Sequence, residues 1–459
     1  MSLKEYVKKI LANHKSIYNF TENSFVAINK LFSFYLNYEQ IKINLYFPLD
    51  TIQKKKKIQI TELSKQNHER LHRYLKNYKG VSLTYIEKLL SAITTKWNSS
   101  YIFRITDNEL VELTKTIPPS YLPPSRWLSL YDFCFTYGYL KLLILLRQKA
   151  IVSSLETEKK KTNSEFYTQL AFRAAIEKRD FPLAKKLLNK LKKIKNNSDI
   201  FRDCMKYYLI HIGYWKSNKF EKIFHLLKYR KKNESFKKLI EGKTIAIVGP
   251  APSNEQTGNE IDSFDIVIRI NYRGKDKLGD IKEFGSRTDI SYYNNYDSNI
   301  IHLEKNFSYL DDLKACVFKE IKYPFQSKLQ KLGRAHKMNV PHLIFNGFSL
   351  QGINIIYDIL HYCPSTIKVF KNNLFLNQNS YYKNYRSSHL DDMGRQSSKK
   401  INERFASFSA HDLVSHFEFL KNILLDKNIQ ADNDMKNVLK MDINSYLKNI
   451  ENIYSIKKK

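Results

Sequence analysis

The sequence predicts an all-helical N-terminal region followed by an α/β domain with a mostly parallel sheet. Three observations predict it. Apolar side chains recur at three- and four-residue steps through residues 1–235. After Gly242 the pattern changes to short β-branched runs, Thr244–Val248 and Asp265–Asn271. Spacers of helix length separate those runs, as expected where crossover helices bring strands parallel.

In the helical region the clearest segment is Ser164–Ile194. Phe166, Leu170, Phe172, Ala175, Ile176, Phe181, Ala184, Leu187, Leu188 and Leu191 form an apolar stripe with charge between them. The break falls at Asp180-Phe181-Pro182, and Pro182 suits the first turn of a second helix. The pair reads as a helical hairpin, similar to one unit of a tetratricopeptide-type solenoid, but no repeat period follows. Pro118, Pro119, Pro123 and Pro124 surround Tyr121 and lead to Trp127. They exclude helix interior and predict a joint between two subdomains near residues 117–127, either a rigid connector or a proline-rich ligand. The most apolar run, Tyr137–Ile151, is interrupted by Lys141, Arg147 and Lys149 and falls short of the ~20 residues that span a bilayer. It is expected to be a buried helix. A further helical stretch covers Phe201–Leu239.

The α/β domain is placed at residues 236–430, with a basic helical tail at 431–459. Beyond the first two runs, strands are expected at Ala315–Phe318, His342–Asn346 and Thr366–Phe370, and helices at Leu350–Tyr362 and Leu413–Leu425. A ligand site is expected at the carboxyl ends of the strands.

Composition bounds the rest. The chain has 459 residues, 42% of them hydrophobic, enough for two or three domains with real cores. Its formal net charge of +32 suits nucleic acid, an anionic membrane surface, an acidic substrate, or simply a solvated lysine-rich surface. Lys54–Lys57, Lys159–Lys161 and Lys457–Lys459 are short clusters, and the lysines are otherwise spread along the chain. The four cysteines, Cys134, Cys204, Cys316 and Cys363, lack CxxC spacing, which argues against a zinc site and fits a reducing compartment. The first residues lack the apolar core of a signal peptide. A cytoplasmic protein, soluble or peripheral on the inner membrane, is the expectation.

Chemistry-bearing residues concentrate after Lys243. In Ile245–Asn254 (IAIVGPAPSN) a buried strand enters a small-residue turn, where Gly249, Ser253 and Asn254 can bring backbone N–H groups near a phosphate or ribose. Asn271 ends the next strand and can both donate to and accept from a nucleotide. Arg269 lies within that strand, as an internal ion pair or a ligand contact, and Asp262 is a cap or brace.

Order and spacing in Val248–Asp289 resemble the large sialyl motif of the animal-type sialyltransferases. The matching elements are Gly249, Ile261-Asp262, Val267-Ile268-Arg269-Ile270-Asn271 and Phe284-Gly285-Ser286-Arg287-Thr288. Asn346–Phe370 resembles the small motif, with Ser349 and Gly352 leading a helix whose N–H groups can meet a nucleotide. Gln351 stands where that family has Ser or Thr before the glycine. The family's cysteine bridge has no counterpart: Cys363 matches one position, and Thr244–Val248 offers no partner. His411-Asp412 before Phe417-Glu418 is similar to the family's last motif, a histidine before a glutamate that opens a helix. The resemblance implies that His411 is the general base, with His416 as rival, and histidine titrates where that task needs it. In Asn377–Asp391 the family's phosphate-binding histidine is replaced by Tyr381 and Tyr382, as in bacterial sialyltransferases; His389 and Arg386 are alternatives there.

The resemblance covers residues 243–429 and implies a Rossmann-like glycosyltransferase domain. The implied activity is inverting transfer of a sialic-acid-like sugar from a CMP-activated donor to a glycan hydroxyl, in synthesis of a bacterial surface polysaccharide or lipooligosaccharide. Gly249, Ser253, Asn254, Asn271, Ser349, Gln351 and Gly352 are the implied nucleotide contacts, and Tyr381, Tyr382 and His389 the phosphate contacts. No cofactor and no metal are expected, since a CMP-sugar carries a single phosphate and Asp311-Asp312 and Asp391-Asp392 are simple pairs. The implied partners are the donor and a glycan acceptor, without nucleic acid. A transferase using CMP-Kdo or another CMP-keto-acid sugar, and a non-catalytic basic nucleotide- or RNA-binding protein, are the other readings.

Overall fold

The structure is a computed structural model, described here at residues 111–131 (apart from 113, 116, 126 and 129), 140–161, 163–195, 198–212, 231–294, 301, 308–319, 333–336, 349–377, 381–382, 385, 411–424 and 429–453. All of these lie in the compact unit Ile52–Lys459. The strand expected at His342–Asn346, the phosphate-contact candidates His389 and Arg386, and most of the N-terminal helical region fall outside the described residues.

Helices α1 (Leu140–Lys160), α2 (Glu165–Glu177), α3 (Phe181–Ile194) and α4 (Asp199–His211) follow one another, and each packs on the next. Their starts are set locally. The side chains of Ser164, Asp180 and Ser198 cap α2, α3 and α4 by accepting the N–H groups of Tyr167, Leu183 and Phe201. Pro182 sits in the first turn of α3, as its fixed φ favours. The α2–α3 hairpin buries the expected stripe except at Phe166, which is 53% exposed, and Phe181, which is partly buried.

Helix α1 contains most of the apolar run Tyr137–Ile151 and is buried around much of its circumference. The polar residues that interrupt the run are engaged. Arg147 binds Glu177 and Asp412, Lys149 donates to the carbonyls of Lys115 and Ile117, and Ser153 donates to Leu122 O at 2.8 Å. These bonds fasten the proline-rich segment to α1, and Trp127 Nε1 closes that segment on itself by donating to Pro119 O at 2.8 Å. Among the described residues no helix is long and apolar enough to cross a membrane.

After α5 (Lys231–Ile240) the chain enters a seven-stranded, all-parallel sheet. Its strands are β1 (Thr244–Val248), β2 (Ile266–Ile270), β3 (Ile290–Tyr293), β4 (Ala315–Phe318), β5 (Gly333–Ala335), β6 (Thr366–Phe370) and β7 (Ile429–Ala431), in the order β5-β4-β3-β2-β1-β6-β7. The central strands are apolar on both faces because helices cover both, which is why they read as unbroken β-branched runs. Short helices α6 (Gly258–Asp262) and α7 (Ile281–Phe284) lie between β1 and β3, and α8 (Gln351–Leu360) leads to β6. Helix α9 (Leu413–Ile423) leads to β7 and is followed by α10 (Asn433–Lys440) and α11 (Ile443–Ile453).

This is a Rossmann-like α/β arrangement. The strand order runs outward from β1 to β5, then returns to place β6 on the other side of β1. The connections after β1 and β6 therefore diverge at one point, where open α/β sheets bind ligands.

One apolar core joins the helices to the sheet, running from Trp127, Leu143 and Leu188 to Ile245, Ile268, Ile355 and Phe417. Residues after 431 belong to it as well. Met435, Val438, Tyr446, Leu447 and Ile450 are buried, Tyr446 stacks on Phe417 at 4.8 Å, and its hydroxyl donates to Leu374 O at 2.9 Å.

Candidate functional site

The loop that leaves β1 is laid directly on the end of β6. The N–H of Gly249 donates to Phe370 O at 2.9 Å, and that of Ala251 to Lys371 O at 3.0 Å. A Cβ added at Gly249 would stand 2.4 Å from Lys371 O, so only glycine permits this approach. Gly249 thus spends its N–H on the fold while lining a pocket on the β2 side. Lys371, itself fully buried, donates from Nζ to Glu255 O at 2.7 Å and pins the far end of the same loop. Ser253 turns its hydroxyl to the N–H of Glu255, and Asn254 is exposed; neither lines the pocket.

The pocket opens at the carboxyl ends of β1 and β2, lined by Val248–Pro250, Arg269–Gly274, Lys277, Leu278, Tyr382 and Tyr385. Asn271 stands in its wall with a left-handed backbone, φ 54°. Its Oδ1 accepts the N–H of Asn294 at 3.1 Å, and its Nδ2 points to the hydroxyl of Tyr385 at 3.4 Å. The amide thus both accepts and donates: its oxygen holds β3's outgoing chain, and its nitrogen lies on the side of Tyr385 and the pocket.

Arg269, expected as an internal ion pair or a ligand contact, pairs with no carboxylate among the described residues. Its guanidinium donates to the carbonyls of Arg287, Phe284 and Gly285 and to Thr288 Oγ1, at 2.6–3.2 Å. Asp262 secures the same turn by accepting from Ser286 N, Ser286 Oγ and Arg287 N. The Phe-Gly-Ser-Arg-Thr segment is thus held by a buried cation and a carboxylate. Burial draws the Arg269 pKa down to about 10, and its charge, bonded only to neutral groups, faces the pocket wall.

Tyr382 and Tyr385 close the other side, and Tyr381 packs behind them without lining the pocket. Tyr382 donates its backbone N–H to Pro250 O and its hydroxyl to Lys277 O at 3.0 Å, with its ring on Phe284 at 4.5 Å. Burial pushes its phenol up to about 12. Its proton is committed to a carbonyl, so it lines the pocket as a wall. Tyr381 packs its ring on Tyr385 at 5.0 Å. Tyr385, which sequence reasoning did not single out, donates to Ile270 O at 3.0 Å and meets Asn271. The tyrosine-rich run was its one signal.

A second group forms at the start of α8. An added Cβ at Gly352 would fall 2.9 Å from Asn372 Nδ2, and Asn372 also faces Gly249, so the chain after β6 links this helix start to the loop after β1. Ser349 is buried, and its carbonyl accepts from Lys319 Nζ at 3.0 Å. The side chain of Gln351 has both amide atoms buried without a partner among the described residues. A buried amide left open at both ends, beside helix N–H groups, is a position that a ligand or ordered water would satisfy.

His416, the rival to His411, is sealed between α9 and the start of α8. Its ring is fully buried, burial pulls its pKa to about 3, and its Nε2 accepts the N–H of Leu350 at 3.2 Å. It ties α9 to the start of α8. His411 is partly exposed, with its ring 6.2 Å from that of His416. The residue that opens α9 is Asp412, not Glu418, which lies inside the helix. The Asp412 carboxylate accepts from Tyr131 Oη, Arg147 Nη1, Ser415 N and Ser415 Oγ. Asp312 accepts the hydroxyl of Tyr272 at 2.9 Å and faces Lys275 at 3.8 Å, while Asp391-Asp392 lies outside the described residues. Cys204, Cys316 and Cys363 are not joined in disulfides.

Compared with models of known families, with curated proteins and with solved structures, the chain matches none. The site is therefore read from its own geometry. Gly249, Asn271, Tyr382 and Tyr385 meet in one pocket. Gly352 joins Gly249 through Asn372, and His411 neighbours the α8 start through His416.

Proposed function

We propose that the chain is a glycosyltransferase that moves a nonulosonate or related keto-acid sugar from its CMP form to a glycan hydroxyl, with inversion and without a metal. The observation that carries the reading is the pocket beside the topological switch point, which Arg269 and Asn271 both line, with the Asn271 amide nitrogen turned to Tyr385. That wall favours a ligand rich in acceptors and negative charge. A cytidine monophosphate has phosphate oxygens and the O2 and N3 acceptors of its base. The open amide of Gln351 supports a ligand that extends toward α8.

In the proposed reaction the acceptor hydroxyl oxygen attacks the anomeric carbon. The bond from that carbon to the CMP phosphate oxygen breaks, and its electron pair leaves with CMP. His411 takes the hydroxyl proton. A single phosphate leaves less charge to offset than a diphosphate does, and the cationic wall of Arg269, Arg273 and Lys277 supports that reading. CMP-Kdo or another CMP-keto-acid sugar would share these contacts. The acceptor in this reading is a bacterial surface glycan, met at the inner face of the membrane.

A thermal-shift panel of CMP, CDP, UDP, GDP and NAD tests the nucleotide. CMP is expected to raise the unfolding temperature; stabilisation by UDP or NAD but not by CMP would overturn the proposal. Release of CMP from CMP-N-acetylneuraminate and CMP-Kdo, expected to persist in EDTA, tests the chemistry. His411→Ala is expected to slow it by about 10²–10⁴-fold. A non-catalytic nucleotide- or RNA-binding protein would show no release, and its binding would fall steeply with salt.

A further inference from the structure

The first turn of α9 is gripped from two sides. From the sheet side, the N–H of Leu350 at the start of α8 donates to His416. From the helical side, Arg147 in α1 donates from Nη1 to Asp412 Oδ2 at 2.7 Å and from Nη2 to Ser415 Oγ, across 265 and 268 residues of chain. Tyr131 donates its hydroxyl to Asp412 Oδ1 at 2.7 Å. Glu177 of α2 holds the opposite side of the same guanidinium. Arg147 and Asp412 are 4% and 3% exposed, so water does not compete for these bonds.

Asp412 is the N-cap of α9 and follows His411 directly. We infer that Arg147 and Tyr131 are positioning residues for His411, so that α1 holds the end of α9 that carries the proposed base. The inference rests on the reading of His411 given above. Its physical content is rigidity. An exposed N-cap held only by its own helix would let the preceding residue sample several orientations. Asp412 instead receives donors from Tyr131 and α1 as well as from its own first turn. The planar guanidinium reaches Glu177, Asp412 and Ser415 together, which the single ammonium of a lysine cannot reproduce. The helical region thereby contributes to the site without lining it.

The test uses the full chain and three variants. Tyr131→Phe removes one hydroxyl and keeps the ion pair. Arg147→Lys keeps the charge and loses the fork. Arg147→Met with Asp412→Asn and Glu177→Gln removes all three charges together, so neither partner carboxylate is left unpaired. CMP-induced thermal shift and KM for CMP-N-acetylneuraminate are expected to stay within about twofold of the parent, since the pocket at β1 and β2 is untouched. The kcat for CMP release is expected to fall about tenfold for Tyr131→Phe, the worth of one hydrogen bond, and about 100-fold for the other two. A kcat within twofold of the parent in variants that bind CMP normally would overturn the inference and leave the proposed function standing. Loss of kcat together with the CMP shift would also overturn it, because the effect would then be general unfolding. A parent protein that binds no CMP and releases none would overturn both.

Discussion

The side-chain oxygen of Asn271 accepts the backbone N–H of Asn294 at 3.1 Å, and that bond decides which end of the amide meets the pocket. Asn271→Asp keeps an oxygen for Asn294, tolerates the left-handed backbone, and replaces the outward nitrogen by a charged acceptor. The fold is expected to survive while CMP affinity, measured by calorimetry, drops by about 1.5–3 kcal/mol, the range for a lost hydrogen bond to a charged group. An unchanged affinity would remove Asn271 from the site.

Gly249→Ala probes the close approach of the β1 loop to β6. The new Cβ meets a backbone carbonyl at 2.4 Å, which cannot rotate away, so the loop must move. Overpacking of this kind costs about 1–3 kcal/mol, and a lower midpoint in urea unfolding is the expected result. The same shift should widen the pocket and weaken CMP binding.

Arg269→Lys separates bracing from charge. Lysine keeps the positive charge but cannot serve Arg287, Phe284, Gly285 and Thr288 at once. Two or more buried acceptors lose their donor, so a stability loss of about 2–4 kcal/mol is expected. Calorimetry on protein that remains folded should show weaker CMP binding, because the turn that aims the cation has loosened.

His211 lies among Tyr207, Phe181 and Phe419, and burial lowers its pKa to about 3. Its folded pKa is below the unfolded value of 6.5, so the unfolded chain takes up a proton that the folded one refuses. The stability is present in full above about pH 6.5 and declines as pH falls toward 3, at up to ~1.4 kcal/mol per pH unit. His416 adds a decline of the same sign. His211→Phe should therefore flatten the loss of stability between pH 6.5 and pH 5, read by urea unfolding at each pH. A variant as acid-sensitive as the parent would refute this.

Several parts of the fold were legible because their signals are local. Thr244–Val248 and Ala315–Phe318 are β-branched or apolar along their length, Thr366–Phe370 is so except at Lys368, and each is a strand with the expected bounds. Ser164, Asp180 and Pro182 announced the starts of α2 and α3 through bonds spanning three or four residues. The edge strands Gly333–Ala335 and Ile429–Ala431 were not legible. Three residues carry no period, and these become strands because β4 and β6 offer them free hydrogen-bonding edges.

The sequence by itself determined strands β1, β2, β4 and β6 and the helix break at Asp180-Phe181-Pro182, and for Asp262 it left a cap and a brace open. Each follows from neighbours along the chain. The tertiary structure decided what a histidine or an arginine does once it is there. His411 and His416 are five positions apart and alike in composition, yet one keeps contact with solvent and the other is sealed against Leu350. Asn271 has an amide like any other until Asn294 takes one end of it. Arg147 reads as an interruption in an apolar run until Asp412 arrives from 265 residues away. Burial and partnership depend on which distant segment returns to the same place, and no local spacing encodes that return.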